Sequence, residues 1–151
     1  LLSIRDLPNG VGELDNLMTL ASIIQKEAAS YEEMCRVSAV FHNRLDDSAN
    51  FPFLQSDATN NYIKDSIRPF MTVEKQELYD AYDSYKCIGL PLGPICNPGL
   101  DAIKAAANPD PSIDGYFFVS DDAGNYYYAK TMAEHEANIA KANAVNATLE
   151  D

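Results

Sequence analysis

The sequence predicts an α+β fold: one mostly helical domain with a small antiparallel hairpin. Three observations carry this. Apolar residues recur at helical spacing through 13–29 and 31–45. Two S/T-x-x-E capping boxes, at Ser30 and Thr131, mark helix starts. Aromatic and β-branched runs at 115–120 and 125–129 flank Asp121-Asp122-Ala123-Gly124, a hairpin signal.

Taken in order, residues 1–12 hold Pro8, Gly10 and Gly12 and read as an irregular lead-in, leaving 13–151 as the domain. The first helix is expected over Glu13–Ala29, the second from Tyr31 to about Leu45, with Ser30 as N-cap. Residues 46–56 read as a loop. Asp57 is the expected N-cap of a short helix to about Ile63, and another short helix should run from Thr72 to about Tyr79. YDSYKCIGLPLGPICNPG, residues 82–99, has three prolines and three glycines and cannot be regular helix. Asn97-Pro98 reads as N-cap and N1 of a helix ending near Ala107. The last helix should follow Thr131 to about Ala147.

Composition narrows the function. The chain has 151 residues, 46% of them hydrophobic, enough for one domain with a core. Net charge is -12, with 23 acids against 11 bases, which argues against nucleic acid as a partner. An acidic surface is compatible with a neutral polymer such as a glycan. No apolar run reaches the roughly 18 residues needed to span a membrane. Cys35, Cys87 and Cys96 make no C-x-x-C and the two histidines lie far apart, so neither zinc nor any other cofactor is expected. Free thiols are the simpler reading, with a Cys87–Cys96 disulfide as the alternative.

One acid is out of place. At about 100° per residue, Leu14, Leu17, Leu20, Ala21, Ile23, Ile24 and Ala28 share one arc of the first helix. Gln25 and Lys26 fall outside it, towards water. Glu27 falls inside. A carboxylate there must find a basic partner, stay protonated, or line a cavity, and the last is how a general acid is made. Asp57, among Gln55, Ser56 and Asn60, is a second carboxylate for hydrolysis, or merely a cap. His42 reads as a surface or core residue. No serine sits in a nucleophile elbow, and there is no phosphate loop.

Several segments together resemble the YceG-like family, the MltG-type endolytic murein transglycosylases. They are LASIIQKEAA at 20–29, VFHNRL at 40–45, LQSDAT at 54–59, YDSYKCIGLPLGPICNPGLDAIKAAANP at 82–109, YFFV at 116–119 and AEHEANI at 133–139. The resemblance implies internal cleavage of peptidoglycan glycan strands between N-acetylmuramic acid and N-acetylglucosamine, leaving 1,6-anhydro ends. It places the catalytic glutamate at Glu27. Many relatives have Glu where this chain has Gln25, which cannot act as an acid, so Glu27 is the sharper choice. The family carries an N-terminal membrane anchor and a LysM-like region before the catalytic part. The resemblance therefore implies a single-pass cell-membrane protein with this domain outside the cytoplasm, working beside other cell-wall synthesis proteins.

Substrate contacts are expected from Asn43, Gln55, Ser56 and Asp57, and from Tyr82, Tyr85 and Asn97 around the glycine- and proline-rich loop. The aromatic pair reads equally as core. Arg44 is expected in an internal ion pair or on a peptide-stem carboxylate. Glu27 should face a cleft and have a raised pKa. Two other functions fit the residues: a hydrolase with Asp57 activating water, and a glycan-binding or divisome-scaffolding module with no activity.

Overall fold

The computed structural model describes residues 11–150, with side chains from Glu13 onward. Helix α1 (Val11–Glu27) is the spine. Its first turn already includes Val11 and Gly12, so that part of the expected lead-in is helical; residues 1–10 lie outside the described residues. Leu20, Ala21, Ile23 and Ile24 are buried, Ile23 and Ile24 completely. Truncating either isoleucine to Ala would cost about 2–5 kcal/mol. α1 stops at Glu27, two residues before the expected Ala29, because the chain turns extended at Ser30 to cap the next helix.

Helix α2 (Tyr31–Asp46) starts where the sequence says, with the Ser30 hydroxyl accepting from the Glu33 N–H at 3.3 Å. Only half the capping box forms, because the Glu33 carboxylate is taken by Arg36 at 2.7 Å and by the Tyr128 hydroxyl at 2.6 Å. Helix α3 (Asp57–Tyr62) runs on through a π-helical turn, Ile63–Ile67, and a 3-10 turn, Arg68–Phe70. Helix α4 (Gln76–Tyr82) lies three to four residues beyond the short helix expected from Thr72. The following loop is irregular, as its prolines require, and Gly89, at φ +71°, donates to the Pro52 carbonyl at 2.8 Å.

Helix α5 (Leu100–Ala107) begins two residues later than expected. Gly99, not Asn97, occupies its N-cap, because the Gln25 side chain accepts the Gly99 N–H at 2.9 Å. Gln25 is thus half-buried and bonded rather than turned to water. Ala102, Ala105 and Ala106 let α5 lie close against α1 and α2. Strands β1 (Phe117–Ser120) and β2 (Tyr126–Ala129) pair antiparallel, Phe117 opposite Ala129 and Ser120 opposite Tyr126. Gly115 precedes them where any Cβ would lie 2.6 Å from the Ala129 carbonyl oxygen, so only glycine fits. Helix α6 (Met132–Leu149), with its complete Thr131–Glu134 capping box, covers the hairpin. The architecture is the α+β fold that the sequence predicts. All three cysteines are free thiols.

Candidate active site

Glu27 is the last residue of α1, so its carbonyl is released from the helix ladder. The Tyr126 hydroxyl, on β2, donates to that carbonyl at 2.8 Å and ties the helix end to the hairpin. The carboxylate receives one hydrogen bond, from the Ser56 hydroxyl at 2.5 Å. None of the ion pairs among the described residues involves it, so the expected alternative of a Lys or Arg partner is not what the structure contains. Burial raises the Glu27 pKa, the Ser56 bond opposes that, and the charge of Asp57 raises it further, leaving it above the ordinary glutamate value. The negative pole of α1 acts in the same direction.

Ser56 is held by a knot of hydroxyls. Its N–H donates to Ser84 Oγ at 2.8 Å, and Ser84 Oγ donates to the Ser56 carbonyl at 3.0 Å. The Ser84 N–H donates to Thr59 Oγ1 at 3.1 Å. All three side chains are buried. Just before them, Gln55 is the one non-glycine residue at positive φ among those described, at +57°. That conformation costs about 1–3 kcal/mol, and it turns the chain so that Leu54 enters the core while Ser56 meets Glu27. Ser56 is also the N-cap of α3, a position expected for Asp57. Asp57 is N1, exposed, and accepts from the Tyr85 hydroxyl at 2.6 Å. Partial burial and the Asp57 bond push Tyr85 up to about 12.

Two cavities meet at this point, of about 390 and 460 Å³, and both are lined by Glu27 and Asp57. The first adds Arg44, Gln55, Tyr85 and residues of β1 and α6. The second adds Lys26, Asn61, Tyr62, Asp65, Ser66 and Ile95. Glu27, Gln55, Ser56, Asp57 and Tyr85 are therefore brought together. Asn43, Tyr82 and Asn97 line neither cavity. Asn43 spends its amide on the Ile113 and Gly115 carbonyls, at 3.2 and 2.9 Å. Tyr82 packs against Tyr62 with the rings tilted by 52°, centroids 5.4 Å apart. Asn97 is exposed on its loop.

Arg44 forms no ion pair among the described residues, contrary to expectation. Its Nε donates to the Tyr116 carbonyl at 2.6 Å and its Nη1 to the Phe53 carbonyl at 2.8 Å. His42 meets the Ala106 carbonyl at 2.7 Å, a structural contact. Sequence reasoning missed Ser84 and Tyr126 as supports of the acid, because they act across 28 and 99 residues of chain; Thr59, which donates to the Ser56 carbonyl only three residues away, was missed because nothing local marks it. Among the described residues, no group of three or more His, Cys, Asp or Glu side chains is placed to hold a metal ion.

A chemical capacity follows from this arrangement. A withdrawn carboxyl with one neutral donor and no ion-pair partner among the described residues has its protonated form favoured, and it lines two cavities at once. Known proteins share the frame. The model of the YceG-like family matches residues 8–141. A protein named endolytic murein transglycosylase from Streptococcus pneumoniae serotype 2 (strain D39 / NCTC 7466) is 32% identical over 133 residues, covering 85% of this chain and 24% of its own. One of the same name from Bacillus subtilis (strain 168) is 33% identical over 134 residues, covering 89% and 36%. The crystal structure of a yceG-like protein from Listeria monocytogenes superposes with TM-score 0.67 at 32% identity, over 83% of this chain and 40% of that one. The chain thus spans well under half the length of each of these relatives.

Proposed function

The chain belongs to the YceG-like family, and from that premise we propose that it is the catalytic part of a lytic transglycosylase that cuts peptidoglycan glycan strands internally. The observation that carries this reading is Glu27, a desolvated carboxyl in no ion pair among the described residues, on the lining of two cavities. A site with room on both sides of the acid suits a cut inside a strand. The name that the relatives carry, endolytic murein transglycosylase, agrees with it.

Protonated Glu27 gives its proton to the oxygen joining N-acetylmuramic acid to N-acetylglucosamine. The C1–O bond breaks, and the muramic C1 becomes oxocarbenium-like. Ionised Glu27 then takes the proton from the C6 hydroxyl of the same sugar. O6 closes onto C1 to give the 1,6-anhydro end, and Glu27 is again protonated. An internal nucleophile has a high effective molarity, so no second protein base has to activate water. Asp57, held by Tyr85, faces the developing positive charge. Gln55 lines the sugar side, while Ser56, buried behind it, serves as the partner of the acid. Membrane attachment through an N-terminal anchor, a location outside the cytoplasm and work beside cell-wall synthesis proteins belong to the same proposal. No described helix is long and apolar enough to cross a membrane.

A hydrolase reading draws on one observation, the exposed Asp57 beside Glu27, which is not spent on capping. Mass spectrometry of the products of peptidoglycan digested by the full-length protein separates the two. The proposal expects anhydro-muramyl ends, absent with Glu27→Gln. Reducing ends favour Asp57-activated water. Undiminished cleavage by Glu27→Gln removes Glu27 from the chemistry.

A further inference from the structure

Arg44 is the only basic side chain that is buried among the described residues, at 5% exposed, and burial lowers its pKa. Two backbone carbonyls occupy Nε and Nη1. The guanidinium lies 5.2 Å from the Phe51 ring centre and 5.0 Å from that of Phe117. Its Nη2 has no hydrogen bond among the described residues. Nor is Nη2 one of the fully buried unmet atoms, which are Ser38 Oγ, Tyr79 OH and His135 Nδ1, so it keeps access to open space. A buried cation without an anion is costly, and a chain with 23 acids had ample means to supply one.

His135 shares this wall. Its ring stacks on Phe117 at 5.0 Å, and both His135 and Arg44 line the cavity that Glu27 and Asp57 line. Its Nδ1 is buried with no partner. With the proton on Nε2, the buried Nδ1 is left as an unmet acceptor rather than an unmet N–H, so this tautomer is assigned to the neutral ring. Nε2 is not fully buried and also has no hydrogen bond among the described residues. Burial, and then the Arg44 charge, hold His135 below the ordinary histidine range, which keeps the ring neutral. Arg44 and His135, each with an unmet donor and one of them permanently charged, thus line a cavity whose other charged groups are acids.

We infer that Arg44 and His135 form a carboxylate subsite beside the acid, which takes a carboxylate of the substrate strand and sets the polarity and register of the glycan. The inference rests on the glycan-strand reading of the cavity. A guanidinium Nη is suited to a carboxylate oxygen, and an imidazole N–H on the lining of the same cavity offers a second donor to it. The only carboxylates on such a strand belong to muramic acid: the lactyl carboxylate where no peptide is attached, or one on an attached peptide. A strand bearing these anions meets a chain of net charge -12, so a local cation is needed to seat it.

The test uses full-length Glu27→Gln protein, which should bind without cutting, and calorimetric titration with three disaccharides of N-acetylglucosamine and muramic acid. One has a free lactyl carboxylate, one the lactyl carboxamide, and one a dipeptide ending in a carboxylate. The free acid or the dipeptide should bind at least roughly tenfold more tightly than the carboxamide. Which of the two does so identifies the source of the carboxylate. His135→Phe, which can keep the stack on Phe117, and Arg44→Lys should each shrink the preference while leaving carboxamide affinity in place. Because Arg44 also anchors backbone, a circular dichroism melt accompanies each variant, and His135→Phe decides if Arg44→Lys fails to fold. Equal affinity for all three ligands overturns the carboxylate subsite and leaves the glycan reading standing. No binding of any ligand overturns both.

Discussion

Glu27 and Asp121 are both acids withdrawn from water, and their surroundings drive them opposite ways. At the β1–β2 turn, Asp121 is 5% exposed and accepts from the N–H groups of Ala123 and Asn125, the Asn125 amide and the Tyr127 hydroxyl. Burial pushes its pKa up, but those donors outweigh it and hold the acid below the ordinary aspartate range. At the end of α1, Glu27 has a single hydroxyl donor, and burial prevails. Burial alone therefore does not make a reactive acid. The balance of burial and nearby charge against donated hydrogen bonds decides whether a withdrawn carboxyl is a staple or a proton carrier.

The contrast breaks most sharply at Glu27→Gln. Glycan cleavage should fall on the order of 10²–10⁴-fold, measured as product release by mass spectrometry. The same variant should be more stable than wild type at neutral pH. A raised folded pKa contributes stability that is fully present below the ordinary glutamate range and lost as pH rises through the folded value. The Tm advantage of Glu27→Gln should thus appear as pH rises and vanish in acid. Ser56→Ala comes next. It removes the one donor to the carboxylate among the described residues, so the Glu27 pKa should rise further and the alkaline limb of the pH–rate profile should move to higher pH, with a lowered rate.

Asp121→Asn should show the opposite stability pattern, with activity of the folded protein retained. A depressed pKa contributes stability above the ordinary aspartate range, lost as pH falls through the folded value. Its Tm deficit should therefore be largest near neutrality and close in acid. Tyr85→Phe is the mildest change. It frees Asp57 from its one phenolic donor, and kcat/KM should fall by less than about tenfold.

The sequence exposes local features best. The caps at Ser30 and Thr131, the hairpin, and the end of α5 at Ala107 follow from neighbouring residues. Errors arise where a distant group overrides a local signal. Asn97 is a good cap by composition, yet Gln25 from α1 sets the start of α5 at Gly99. Ser56 and Asp57 are both good caps, and only the reach of Ser56 to Glu27 shows how they divide the work. The π-helical and 3-10 turns at 63–70 have no pattern of their own. Within the site, Glu27 is legible from its place in an apolar arc. Its support by Ser84 and Tyr126 is not, since nothing local marks either one.

The central claim is that Glu27 holds its proton above the ordinary glutamate range because burial, aided by the Asp57 charge, outweighs its hydrogen bond from Ser56. Site-resolved carbon NMR of the side-chain carboxyls, followed through a pH titration with Asp121 as internal comparison, tests it most directly. Glu27 should titrate above the ordinary glutamate value and Asp121 below the ordinary aspartate value. A Glu27 that titrates at or below the ordinary value would contradict the account.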